Sequence, residues 1–126
     1  MDRLLRSSLV VVQRWRSFTG GDELIAPSLL RAECTSVFAR LVHTGRISEA
    51  NGRLEVEKLS RLSIRIVEQA AFYPRAFDIA RSLGWARAYD ALYLAAAEIE
   101  DAELLTVDRG MSEAAARLGI QATLVR

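Results

Sequence analysis

Cysteine and histidine occur once each in this chain, as Cys34 and His43. A single thiol cannot close a disulfide within the chain, and the pair cannot build a cysteine-based zinc site or a histidine-rich metal centre. A Ser-His-Asp triad is a poor fit for the same reason. Lys58 is the only lysine, so the basic set is almost all arginine. Neither sign of charge dominates: 17 basic residues face 16 acidic ones, for a net charge of +1. Overall charge therefore gives no drive toward nucleic acid, and such a function would need a local basic face. No apolar run approaches the roughly 18 residues that a membrane-spanning helix needs. The apolar run over 9–12 is too short for a signal-peptide core, and no small-residue cleavage pattern follows it. A cytoplasmic protein without membrane contact is expected. No repeat, low-complexity tract or linker interrupts the chain.

What is present is a large apolar fraction, 51% of 126 residues. That is enough to fill a core, so disorder is not expected, and the length fits a single domain over 1–126. Leu5, Leu9, Val12 and Trp15 recur at helical spacing and predict a helix over 3–17, although the β-branched run over 9–12 also suits a strand. The stretch 19–22 is a break. A short apolar run over 23–26 reads as a strand that Pro27 ends. A helix then opens at Pro27 and Ser28. Its stripe is Leu30, Cys34, Val37, Phe38 and Leu41, and Gly45 is its natural stop. The next helix runs from Ser48 to about Leu62, with Leu54, Leu59 and Leu62 inward and Gly52 weakening its first turns. The sequence further predicts a strand over 64–67, a helix over 74–83 closed by Gly84, and a helix over about 87–100. A strand over 103–107, a helix over 112–118 stopped by Gly119, and a strand over 122–125 complete the chain. Alternation of this kind implies crossover connections and a parallel sheet with helices on both faces: a small three-layer α/β domain.

Two stretches organise the candidate chemistry. Ala88-Tyr89-Asp90-Ala91-Leu92-Tyr93-Leu94-Ala95-Ala96-Ala97 is too apolar all round for a surface helix, yet Asp90 sits in its first turn. Leu104-Leu105-Thr106-Val107-Asp108 reads as a short buried strand ending on a second carboxylate. Glu33 is a third acid, beside the apolar stripe of its own helix. Each has a plain alternative: Glu33 as an ion-pair partner of Arg31 or Arg40, Asp90 as an ordinary first-turn acid, Asp108 as an N-cap. Together they weigh more, because ligands in open parallel sheets bind beyond the carboxyl ends of the strands. Three carboxylates converging there would repel one another unless a cation joined them. Oxygen ligands suit Mg²⁺ or Mn²⁺. Such a site can acidify a water and stabilise a pentavalent phosphorane, which is metal-assisted phosphodiester hydrolysis.

These residues resemble a PIN domain of the kind found in bacterial VapC-like toxins. The resemblance runs from about Glu23 to the C-terminus. It rests on Leu24-Ile25-Ala26-Pro27-Ser28-Leu29-Leu30-Arg31-Ala32-Glu33 and on the two blocks around Asp90 and Asp108. It implies a Mg²⁺- or Mn²⁺-dependent ribonuclease in which Glu33, Asp90 and Asp108 match the second, third and fourth acidic positions, and Thr106 matches the hydroxyl residue before the last acid. It also implies RNA as substrate, a small antitoxin whose tail covers the acidic hollow, and a homodimer. The chain departs from the family at its start, where an opening strand should carry a metal-binding aspartate. No such segment is present, and Asp2 is no substitute because no strand precedes it. Either the recorded start is too far downstream, or the gene is a remnant, or residues 9–12 fill the gap as a strand. The first two are preferred, and both imply a weakly stable or inactive product.

The rival reading is a truncated or degenerate PIN-like protein that binds antitoxin or RNA without cutting. A receiver domain is set aside: it needs an acidic pair after its first strand and a late lysine, and neither is present. Cys34 is expected in the core, and Trp15 and Trp85 in packing. His43 is expected at a solvated helix end, and Arg81 and Arg87 near RNA phosphate.

Overall fold

The computed structural model describes residues 11–14, 23–61, 63–106 and 108–124. In chain order the elements are β1 (Val11–Arg14), β2 (Glu23–Pro27), α1 (Leu29–His43), α2 (Glu49–Ser60), β3 (Arg65–Val67), α3 (Phe72–Leu83), α4 (Tyr89–Ile99), β4 (Glu103–Thr106), α5 (Arg109–Arg117) and β5 (Ala122–Leu124). The five strands form one sheet in the order β3-β2-β1-β4-β5.

One expected element is overturned. Within the stretch expected as a helix over 3–17, the described residues form β1, in the centre of the sheet. Residues 3–10 and 15–17 (Trp15 among them) lie outside the described residues, as do Leu62, Val107 and Val125. The β-branched run therefore prevails over the helical spacing. Its reward is the closure of two sheet edges, because β2 and β4 would otherwise each present a row of unpaired backbone groups.

The sheet is also not wholly parallel. β2 pairs with β3, and β4 with β5, in parallel, but β1 runs antiparallel to both of its neighbours. Chain length accounts for this. Only residues 15–22 separate β1 from β2, whereas a parallel crossover takes a dozen residues or more. The register sets Arg14 opposite Glu23 and Gln13 opposite Glu103. The C-terminal end of β1 thus lies at the sheet edge away from the ends of β2 and β4, and β1 brings no terminal acid to that carboxyl edge.

The remaining expectations are close to the observed elements. The parallel pairs are joined through helices, β2 to β3 by α1 and α2 and β4 to β5 by α5, as expected of an α/β domain. The helix after Asp108 starts at Arg109, earlier than residue 112. Leu54 points outward at 46% exposure instead of inward, while Leu59 packs against the core. Cys34 is buried, and His43 lies exposed in the last turn of α1. α4 is buried nearly all round: Ala91, Tyr93, Leu94, Ala95, Ala96 and Ala97 are each at most 1% exposed. It packs on β1, β2 and β4 and alongside α3. Among the described residues no helix is long and apolar enough to cross a membrane.

Gly52 does more than weaken a helix. It is buried where α2 meets α1, and a Cβ there would stand 2.4 Å from Val42 Cγ2. The two helices approach this closely only because position 52 has no side chain. Val42 is β-branched and stiff at χ1, so it cannot swing clear easily. Gly52→Ala is expected to destabilise the chain by about 1–3 kcal/mol despite the better helix propensity of alanine. Urea unfolding should show this, with partial recovery when Val42→Ala is added.

Candidate active site

β2 ends at Pro27, β4 at Thr106, and the chain enters α1 and α5 directly from those ends. Glu33 lies in the second turn of α1. Asp90 lies in the first turn of α4, where the helix dipole favours an anion. Asp108 is the N-cap of α5, with Oδ1 accepting from the backbone N–H of Gly110 at 2.7 Å and of Met111 at 3.3 Å. Thr106 is wholly buried, and its Oγ1 accepts from the Asp108 N–H at 3.0 Å. That bond fixes the turn between β4 and α5.

Glu33 and Asp90 line one hollow of about 850 Å³, together with Arg40, Trp85, Arg87 and Tyr89. Gly84 shapes its rim. It ends α3 in the left-handed region at φ +71, and the Trp85 N–H returns to the Ala80 carbonyl at 2.9 Å. A residue with a Cβ is disfavoured there. This turn brings Trp85 and Arg87 to the hollow, and Trp85 also packs against the core. Arg81 is exposed on α3 and is not one of the lining residues.

The electrostatics are those of acids held together without enough compensation. Burial pushes the Glu33 carboxyl above its usual value, a hydrogen bond from Tyr93 pulls it back, and the charge of Asp90 adds to the rise. Burial raises Asp90 as well, and the charge of Asp108 raises it further. The charge of Asp90 therefore acts on Glu33, and the charge of Asp108 on Asp90. Neither Glu33 nor Asp90 forms an ion pair with a described residue, so the arginine partner considered for Glu33 is replaced by a phenol. The Tyr93 hydroxyl donates to Glu33 Oε1 at 2.6 Å. Burial first, and this bond second, push the Tyr93 phenol well above its ordinary value, so it remains a donor. Cys34, beside Glu33, is pushed up to about 11, chiefly by burial, and is an inert thiol.

Tyr93 is the residue that sequence reasoning missed. A signal was available: it is the one hydroxyl in the apolar run Ala91–Ala97, and it lies three residues after Asp90, on the same helical face.

The donor set fits a hard divalent cation in kind: carboxylate oxygens, with two half-buried acids short of a counter-charge. It does not form a finished cage, because among the described residues no three acidic, imidazole or thiol groups already stand close enough to hold an ion. Asp108 has committed one oxygen to its cap, and two or more waters would have to complete the coordination, as is usual for Mg²⁺.

An α/β domain with carboxylates from three elements at the carboxyl edge of its strands defines a class of acidic-site proteins. The family model described as PIN domain matches residues 7–117. This match begins upstream of Glu23 and takes in β1. The ribonuclease VapC9 of Mycobacterium tuberculosis and a VapC ribonuclease of Mycobacterium bovis are each 30% identical to the chain over 98 residues, which is 78% of this chain and 75% of each relative. The chain belongs to the PIN domain family.

Because Glu33 and Asp90 bind protons more tightly folded than unfolded, the ion-free fold keeps their full contribution below the ordinary carboxylate values. It loses that contribution as pH rises through the raised ones. Asp90→Asn is therefore expected to raise the melting temperature of the ion-free chain at pH 7. The gain should shrink toward pH 4, as read by calorimetry across that range.

Proposed function

We propose that this chain is a metal-dependent endoribonuclease of toxin–antitoxin type that hydrolyses RNA phosphodiester bonds. The observation that carries this reading is that Glu33 and Asp90 line one hollow, with Asp108 capping the helix that follows β4 and its charge reaching Asp90. Family membership and the ribonuclease relatives support it. In this reading Glu33, Asp90 and Asp108 hold Mg²⁺ or Mn²⁺, directly or through water. When bound, the ion supplies an acidified water and neutralises charge on the phosphoryl oxygens. Asp90 and Asp108 orient the attacking water, and one carboxylate accepts its proton. Arg40 and Arg87, at the rim of the hollow, offer planar donors to the RNA phosphates flanking the cut. They supply the local basic face that the balanced net charge lacks. An RNA substrate calls for a cytoplasmic location.

Two partners complete the reading. The antitoxin rests on the family resemblance. The homodimer has a surface to support it: Leu29, Tyr73, Phe77, Tyr89 and Leu92 line an apolar groove of about 800 Å³ beside the acidic hollow, with Phe77 62% and Tyr89 58% exposed. Exposed apolar surface of this kind marks contact sites. Phe77→Asp is expected to shift the chain from dimer to monomer in sedimentation velocity, and a monomeric parent chain would remove the homodimer from the reading.

A second reading has its own observation. The acids are not arranged as a ready cage, and the reversed β1 contributes none, which favours a PIN-like protein that binds antitoxin or RNA without cutting. Mn²⁺-dependent cleavage of labelled single-stranded RNA separates the two. The parent chain is expected to cut, and Asp90→Asn to lower the rate at least about 100-fold, as loss of a group acting in the transition state does. A folded parent chain that binds RNA and leaves it intact decides for the second reading.

A further inference from the structure

We infer that Tyr93 is a positioning residue that orients Glu33 toward the cation, holding one carboxylate oxygen so that the other faces Asp90 and the hollow. This rests on the reading of Glu33 as a ligand given above and adds to it a residue with no direct contact to the ion.

The geometry is specific. Tyr93 is wholly buried, with 0% exposure, so its ring is fixed by the packing of α4 against the sheet. Its hydroxyl meets Glu33 Oε1 at 2.6 Å, the length of a hydrogen bond to a charged oxygen. A glutamate has three rotatable bonds, and anchoring one oxygen removes most of that freedom before any ion arrives. The bond also ties α1 to α4, the two helices that carry Glu33 and Asp90, and so sets the spacing of the two acids.

The choice of a phenol matters chemically. An arginine in the same place would orient Glu33 equally well, but it would neutralise the carboxylate and compete with the cation. A neutral hydroxyl supplies direction without charge, so the full negative charge of Glu33 stays available. The bond is made to Oε1 only, which leaves Oε2 for the ion. Partners that orient a metal ligand in this way typically account for 10–100-fold in affinity or activity.

Mn²⁺ affinity, measured by electron paramagnetic resonance on the full chain, tests this without depending on turnover. Tyr93→Phe is expected to weaken Mn²⁺ binding about 10-fold with the circular dichroism spectrum unchanged. In a double-mutant cycle the same change should have no effect once Glu33→Gln is present, because the ligand it orients is gone. Equal losses in both backgrounds would make Tyr93 a general packing residue and overturn the inference, as would wild-type affinity in Tyr93→Phe. If Tyr93→Phe does not fold, Glu33→Asp carries the test, since it leaves the ring in place and draws the carboxylate out of its reach. It should bind Mn²⁺ as weakly as expected for Tyr93→Phe, and unchanged binding overturns the inference. Absence of Mn²⁺ binding by the parent chain itself would overturn both this inference and the metal reading beneath it, an outcome distinct from the others.

Discussion

Burial of α4 is the constraint on which the rest of the molecule depends. A helix that is apolar on every side gains from being surrounded, and here it lies on β1, β2 and β4 with α3 beside it. That burial brings two polar passengers inward. Asp90 enters at the first turn, where the helix dipole offsets part of its desolvation. Tyr93 follows one turn later with a hydroxyl that needs a partner, and Glu33 supplies it. The same packing that stabilises the domain therefore draws Glu33 and Asp90 into surroundings where burial opposes the ionisation of both and the charge of Asp90 adds to the cost at Glu33. The stress in the site comes directly from the core.

The sheet answers a different constraint. With β2 and β4 pointing the same way and one strand's width between them, some segment must satisfy the backbone groups of both. The chain places Val11–Arg14 there, and the short connection to β2 dictates an antiparallel direction. Hydrogen bonding of the central layer is thereby restored, but the functional consequence of direction is not. In an all-parallel sheet a central strand delivers its last residue to the edge where ligands bind. This one delivers its last residue to the opposite edge, next to Glu23 and Glu103. A fold can therefore be completed at its centre while its acidic site receives nothing from the added strand.

Much of this was legible in the residues. The strand at Glu23–Pro27, the stops at Gly45 and Gly84, the buried helix at Tyr89–Ile99 and the strand ending before Asp108 follow from apolar periodicity and turn chemistry, both of which act over a few neighbours. The segment at Val11–Arg14 was misread because its local signals conflict: helical spacing of large residues against a β-branched run. Such a conflict is settled by whichever partner the rest of the chain provides. Leu54 was misread because one apolar position on a helix cannot show on its own which turn meets the core. Gly52 was read as a weakness, because a close approach between helices is invisible until both are placed.

The sequence by itself determined the class of domain, the three acids and the oxygen-only character of any site they form. One cysteine and one histidine cannot by themselves build a sulfur- or imidazole-based site, and the periodic pattern puts Asp90 and Asp108 at the ends of elements and Glu33 beside the apolar stripe of its helix. Only the tertiary structure decided the direction of the central strand and the phenol that holds Glu33. It also decided that Asp108 commits one oxygen to a helix cap. Each of these depends on contacts between residues far apart in the chain, and no local pattern records which buried hydroxyl will meet which carboxylate.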